Sequence, residues 1–217
     1  MLPNWALTIR MDFMPLLEQA ASWFGLAPMA LVEWMAVAFG FVCVLLTIRQ
    51  NIWCWPAGLV QVTLFIFVFR QARLYSDMVL HIIYVPLQFY GFFHWFYGGE
   101  KRDSLPVTRL TPGELAFWST LAVAGTAGWG WYMDTRFGAA LPYWDAATTA
   151  LSLIAQYLMA KKKLESFAIW ILVDVLCIGI YFVKDLQPTA WLYAAFLVLA
   201  SMGFMAWKKS MRAAQAA

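Results

Sequence analysis

Charge is what this sequence has least of. Of its 217 residues, 12% are Asp, Glu, Lys or Arg, against about 25% in an ordinary soluble domain. Fifteen basic and twelve acidic side chains cannot clothe a chain that is 63% hydrophobic. That excludes a water-soluble enzyme, a disordered chain and a nucleic-acid binder with a broad basic face. Cysteine is also scarce: Cys43, Cys54 and Cys177 show no CxxC or Cys/His spacing, so no metal is expected and they read as small apolar packing residues. Catalytic signatures are missing as well. There is no GxSxG, no HExxH, no paired intramembrane Asp motif and no P-loop, so neither an enzyme nor an ATP-driven pump is expected, and no cofactor is called for.

What is present is apolar length. Uninterrupted stretches at 30–48, 53–70, 75–97, 114–133, 142–160, 166–183 and 189–207 each suffice to cross a bilayer, for which a helix needs about 20 residues. Strict apolar/polar alternation is absent, so these are not barrel strands. Asp12, Pro15, Glu18 and Pro28 break up the first 28 residues, which predicts an interfacial amphipathic helix rather than a span. No basic region followed by a clean apolar core marks a cleavable signal peptide. The connections after the first, third, fifth and seventh stretches hold ten of the fifteen basic residues, among them Arg49, Arg109, Lys161, Lys162, Lys163 and Lys208. The positive-inside rule then puts the N-terminus outside and the C-terminus in the cytoplasm.

Sliding the chain on itself by 112 positions places Gly91, Phe92 and Trp95 on Gly203, Phe204 and Trp207. A GF-x-x-W pattern recurring at equivalent span ends predicts a duplicated three-helix unit. A direct copy would be inverted, and one extra crossing restores its direction. Residues 114–133, with Ala124, Gly125, Ala127, Gly128 and Gly130, suit that linker, and the loop 98–113 supplies slack. The expected fold is all-α and integral to the membrane: seven helices as two parallel three-helix repeats joined by a linker helix. The divisions are 1–28 (interfacial), 29–97 (first bundle), 98–140 (loop and linker), 141–208 (second bundle) and 209–217 (cytoplasmic tail). Parallel repeats with a site between them are a transporter architecture.

Polar groups at membrane depth carry a cost and invite explanation. Asp174 stands in the middle of ILVDVL; Gln61, Gln88 and Gln156 lie at similar depth. Each could be interhelical glue or a contact to a polar solute. His81 reads as a packing histidine before a proton relay. Among the thirteen tryptophans, Trp5, Trp23, Trp34, Trp95, Trp191 and Trp207 sit near span ends and are expected in the interfacial belts. Trp144 beside Asp145, and Trp170 one turn before Asp174, pair a flat apolar wall with a negative charge, which suits a flat cationic ring. Tyr84 and Tyr90 add phenols on the helix of Gln88.

The order of these residues resembles a known family. Asn51, Trp55-Pro56, Gly58 and Gln61-Val62-Thr63-Leu64-Phe65, then Gln71, Leu74-Tyr75 and Tyr90-Gly91, are similar to the first half of the PnuC nicotinamide riboside transporters. Trp144-Asp145, Ser152, the corner from Lys162 to Glu165, Trp170, Asp174 and the closing Gly203 to Trp207 are similar to the second half, so that the resemblance spans about 30–208. It implies a SWEET-like fold, substrate held between the bundles, facilitated diffusion without ion gradient or ATP, trapping of the vitamin by a cytoplasmic kinase, and a homotrimer in the bacterial inner membrane. By position, Trp144, Trp170 and Tyr90 would contact the nicotinamide ring or close the cavity. Gln61, Gln88, Asp145 and Asp174 would bond the ribose or carboxamide. The family often has Gln at His81, and Asn at Gln61, Gln88 and Asp174. An acidic residue at 174 favours a cationic ring, and thiamine is one too. A same-fold thiamine transporter and a non-transporting scaffold or sensor are the alternatives.

Overall fold

The computed structural model describes residues 28–71, 75–98, 105–137, 141–183 and 187–216. The interfacial helix expected over the first 28 residues falls almost entirely outside them, as do Trp5 and Trp23. Seven helices account for nearly all the described residues: α1 Pro28–Ile48, α2 Cys54–Gln71, α3 Tyr75–Tyr97, α4 Pro112–Phe137, α5 Pro142–Ala160, α6 Glu165–Val183 and α7 Gln187–Ala216. Four carry stretches apolar and long enough to cross a membrane on composition alone: Met29–Ile48, Cys54–Gln71, Glu165–Val183 and Thr189–Gln215. The others are more polar, α3 through Asp77, His81, Pro86 and Gln88, α4 through its Gly and Thr content, and α5 through Asp145, Ser152 and Gln156.

Six helices close a ring. α1 packs on α2, α2 on α3, α3 on α5, α5 on α6, α6 on α7, and α7 returns to α1, while α4 lies outside against α5. The first helix of each half thus meets the third helix of the other. The 112-residue offset reappears in single hydrogen bonds. Trp207 donates its indole N–H to Thr47 O (3.0 Å), and Trp95 donates to Met159 O (3.3 Å), each bond crossing between the halves. Gly91 makes room for the Trp55 ring and Gly203 for Phe167; a Cβ on either glycine would fall 2.1–2.2 Å from ring carbon. The rings of Trp55–Trp95 and Phe167–Trp207 meet edge to face at 5.4 and 4.9 Å.

Trp95 and Trp207 are therefore not belt residues. They are 5% and 0% exposed and plug the ring at its lysine-rich end, together with Trp55, Phe167, Met159 and Ala160. Their N–H groups add a second donor to Thr47 O and Met159 O at the helix C-termini, and Trp95 also donates to Ala160 O. Trp34 and Trp191, by contrast, are exposed, as belt residues should be.

The loop before α4 is more than slack. Residues 105–111 form a strap bound to the corner between α5 and α6. Thr108 N donates to Lys162 O and Leu164 N to Thr108 O (3.1 and 2.9 Å). Arg109 pairs with Glu165 at 3.2 Å, and Leu110 N donates to the same carboxylate. Thr111 and Glu114 then start α4 with a reciprocal capping box (2.8 and 3.2 Å). α7 also runs further than expected, to Ala216, because Met211 is buried against this end of the core and the Ala-rich tail favours helix.

Candidate substrate site

Helix pitch sorts the inward residues into levels, since seven residues climb about 10 Å. α3 and α5 start at the end opposite the lysines, and α6 ends there. At that mouth stand Asp77 and Asp145, in the first turns of α3 and α5. With them are Tyr181 of α6 and Tyr193 of α7, stacked at 5.3 Å, and both aspartates lie within electrostatic range of Tyr181. Two turns inward come buried Tyr84, beside Ser152 of α5 and near Cys177 of α6. One turn deeper on the same two helices are Gln88 on α3 and Asp174 on α6, 5% and 4% exposed. The aromatic plug lies beyond.

Several of these groups lack partners. Gln88 Oε1 is buried with no hydrogen-bond donor, and so is Trp55 Nε1 without an acceptor. Among the described residues Asp174 has neither a hydrogen bond nor an ion pair, the ion pairs lying instead at the lysine-rich end. A buried carboxylate or amide without a partner costs several kcal/mol or more in an apolar medium, roughly, unless something arrives to satisfy it. The amides are held in place by glycine: Gln88 lies across Gly58 and Gln61 across Gly40, where a Cβ would collide with each side chain at 2.7 and 2.9 Å.

Of the residues expected from the sequence, Tyr84 and Gln88 on α3 and Asp174 on α6 are buried, with Asp145 in the first turn of α5. Trp170 is half-buried on the face of α6 that Asp174 occupies and packs on the plug. Gln61 turns toward α1. Trp144 is 50% exposed on the first turn of α5. Tyr90 stands about 200° round α3 from Gln88. It stacks on His94 and Tyr157 near the lysine-rich end, with the Lys161 ammonium 5.5 Å from its ring centre. His81 packs among Phe65, Phe69 and Tyr84, its Nδ1 2.9 Å from Asp77 O. Ser152, Tyr181 and Tyr193 were not singled out as site residues. The signal for Ser152 was its heptad spacing from Asp145; the tyrosines gave none, being ordinary aromatics near span ends. A surface notch of about 330 Å³ between the strap and the end of α7 is remote from all these groups.

Large apolar side chains such as Val42, Phe67, Phe89, Phe93, Leu121 and Val198 face outward, as lipid contact requires. An outwardly apolar helix ring with polar groups turned inward defines a class, the multi-pass membrane proteins. The chain belongs to the family described as nicotinamide mononucleotide transporter, whose profile matches residues 30–209. This is a family of transporters, not of enzymes.

Relatives agree. A nicotinamide riboside transporter PnuC of Neisseria mucosa is 30% identical over 190 residues, which cover 81% of this chain and 71% of the relative. The PnuC transporter of Escherichia coli is 22% identical, with 83% and 86% covered. The crystal structure of a vitamin B3 transporter PnuC superposes with a TM-score of 0.70 at 24% identity, covering 98% of this chain and 94% of that one, so the fold is shared.

Proposed function

We propose that this protein carries nicotinamide riboside across the bacterial inner membrane by facilitated diffusion. Net uptake follows from phosphorylation of the vitamin by a cytoplasmic kinase that the transporter need not touch. The observation that carries this reading is the pair Gln88 and Asp174, buried at one level of the ring without partners, in a chain whose relatives are named for that substrate. Gln88 accepts from the carboxamide or a ribose hydroxyl, Trp170 offers a flat wall to the ring, and Tyr84 and Ser152 offer hydroxyls. Trp144 and Asp145 stand at the way in. Gln61 backs the site from α2, and Tyr90 stands near the way out.

The two three-helix bundles, 29–97 and 141–208, move relative to each other about the linker segment 98–140. The lysine-rich end is cytoplasmic, with the C-terminus inside and the N-terminus outside, and three copies assemble in the bilayer. Liposomes holding purified protein, kinase and ATP should accumulate labelled nicotinamide riboside, with initial influx unchanged when proton and sodium gradients are collapsed. Protein-dependent influx of thiamine without the riboside would assign another vitamin. No influx of either would leave a scaffold.

A further inference from the structure

Asp174 has a second peculiarity. Its neighbours along α6, Leu172, Val173, Val175 and Leu176, are apolar, and the side chain is as buried as those of the core. The described cations stay at the ends of the helices: Arg49, Arg109, Lys161, Lys162, Lys163, Lys208, Lys209 and Arg212 at one end, Arg70 and Arg136 at the other. His81 is occupied by its aromatic neighbours and its contact to Asp77 O. A charge in such a place persists only if a partner neutralises it. No described side chain does so. Above it, Asp77 and Asp145 come from two other helices and act on the same Cys177 and Tyr181 that lie between them and Asp174. Carboxylates from α3, α5 and α6 thus descend from the mouth to the level of Gln88, whose Oε1 is itself an acceptor without a donor. The buried donor left without an acceptor, Trp55 Nε1, belongs to the plug beyond, so the unsatisfied groups at the level of Gln88 and Asp174 are acceptors. The complement is a ligand that brings positive charge and N–H or O–H donors.

We infer that this transporter selects its ligand by charge: Asp174 is the counter-ion of a flat ring cation, and Asp77 and Asp145 draw that cation into the mouth. The inference rests on the reading of the ring interior as the substrate site, and it makes a demand the family name does not. A neutral molecule of the same shape is refused. Focusing of a cation by a carboxylate-lined, low-dielectric cleft raises the on-rate and makes it fall with salt.

The probes are nicotinamide riboside, a ring cation, and its 1,4-dihydro form, which has nearly the same outline and no charge. Purified wild-type protein should bind the cation at least roughly thirtyfold more tightly than the dihydro form, the scale of one buried charge pair lost. In Asp174→Asn, which keeps the shape, the ratio should collapse to within about threefold, mostly through loss of cation affinity. In Asp145→Asn, the cation's on-rate should fall and lose salt dependence, with the wild-type ratio largely kept. Equal binding of both forms by the wild type overturns the inference, and this arm needs no variant to fold. An unchanged ratio in Asp174→Asn also overturns it. If wild type binds neither riboside but binds thiamine in an Asp174-dependent way, charge selection stands and the proposed substrate falls.

Discussion

Lys162 and Gln50 stand 112 residues apart in the chain and 3.4 Å apart in space, ammonium to amide oxygen. Both have left-handed backbones, with φ of 49° and 54°. Each is the second residue past the end of its helix, and each ends that helix the same way. Asn51 N donates to Leu46 O and Gln50 N to Thr47 O; Lys163 N donates to Leu158 O and Lys162 N to Met159 O. These are paired Schellman closures, a place usually given to glycine because a side chain there costs about 1 kcal/mol or more. The side chains repay that cost across the junction of the halves. Lys162 also donates to Leu105 O in the strap (2.8 Å) and lies 4.4 Å over the Trp95 ring. One residue of the second half therefore holds both the first half and the linker.

Cutting that hold should free the strap first. In Lys162→Met the stem still covers Trp95, but Leu105 O and Gln50 Oε1 lose their donor. A hydrogen bond to a charged group contributes roughly 1.5–3 kcal/mol, so amide exchange at Thr108 and Leu164 should quicken by about tenfold or more. Exchange in mid α3 should be unchanged. Equal protection of the strap in both proteins would show that Arg109–Glu165 and the capping box suffice alone.

Burial lowers the Lys162 ammonium from the usual lysine range to about 8, despite the opposing influence of Cys54. Unfolded, the same residue keeps its proton to about 10.4. Between these two values the unfolded chain binds more protons than the folded one, so stability due to Lys162 rises with pH across that window and is flat below it. Melting temperatures in detergent, wild type minus Lys162→Met, should therefore climb from pH 8 to pH 10. A neutral amine still donates to both oxygens, so the strap persists. A falling difference would mean that the charge itself is needed.

Trp207→Phe keeps the ring against Phe167 and removes the N–H that reaches Thr47 O; Trp95→Phe does the same toward Met159 and Ala160. Thr47 O keeps the Gln50 amide as a donor, so Trp207→Phe should cost about 1 kcal/mol, whereas Ala160 O loses its indole donor, so Trp95→Phe should cost about 1–3 kcal/mol. The Trp95 and Trp207 rings are 5.9 Å apart, so the double mutant should be non-additive by about 0.5 kcal/mol or more. Strict additivity of the melting shifts would mean that the two bonds hold the halves independently.

Much of this fold was legible, and the reasons for the remainder are particular. Gly91 and Gly203 showed in the repeat because glycine cannot be replaced beneath a ring. The rings themselves, Trp55 and Phe167, are different residues and hid the same relationship. Gln50 and Lys162 stayed invisible because neither is the glycine that a left-handed position advertises. Trp95 and Trp207 fell at span ends, where sequence alone cannot tell an indole facing headgroups from one capping a neighbouring helix. For the site, depth was readable and direction was not. Gln88 and Tyr90 differ by two residues along α3, yet one lies buried across Gly58 of α2 and the other stacks on Tyr157 of α5.

Gly203→Ala places a methyl group 2.2 Å from a Phe167 ring carbon, on a residue that is fully buried. Overpacking of this kind costs about 1–3 kcal/mol and should lower the melting temperature measurably. Phe167→Leu opens the space, so the double mutant should recover part of the loss although each change alone destabilises. Gly128→Ala on α4, with nothing within 4 Å, serves as the neutral control. No recovery in the double mutant would place the strain elsewhere, in the α7 backbone.

Gln88 separates a structural role from a binding role most sharply. If its amide were helix glue, removing it would destabilise the protein. Its Oε1 instead lies buried without a donor, a state that burdens the ligand-free fold. Gln88→Met, similar in volume and flexible enough to lie across Gly58, should leave the melting temperature of the ligand-free protein equal or higher. The same change should weaken nicotinamide riboside binding by about 1–3 kcal/mol, because the donor that Gln88 was kept for then meets a thioether. Ligand-induced stabilisation should shrink in step, since it follows the ratio of ligand concentration to Kd. Loss of stability with affinity unchanged would return Gln88 to the helix interface and move the site away from α3.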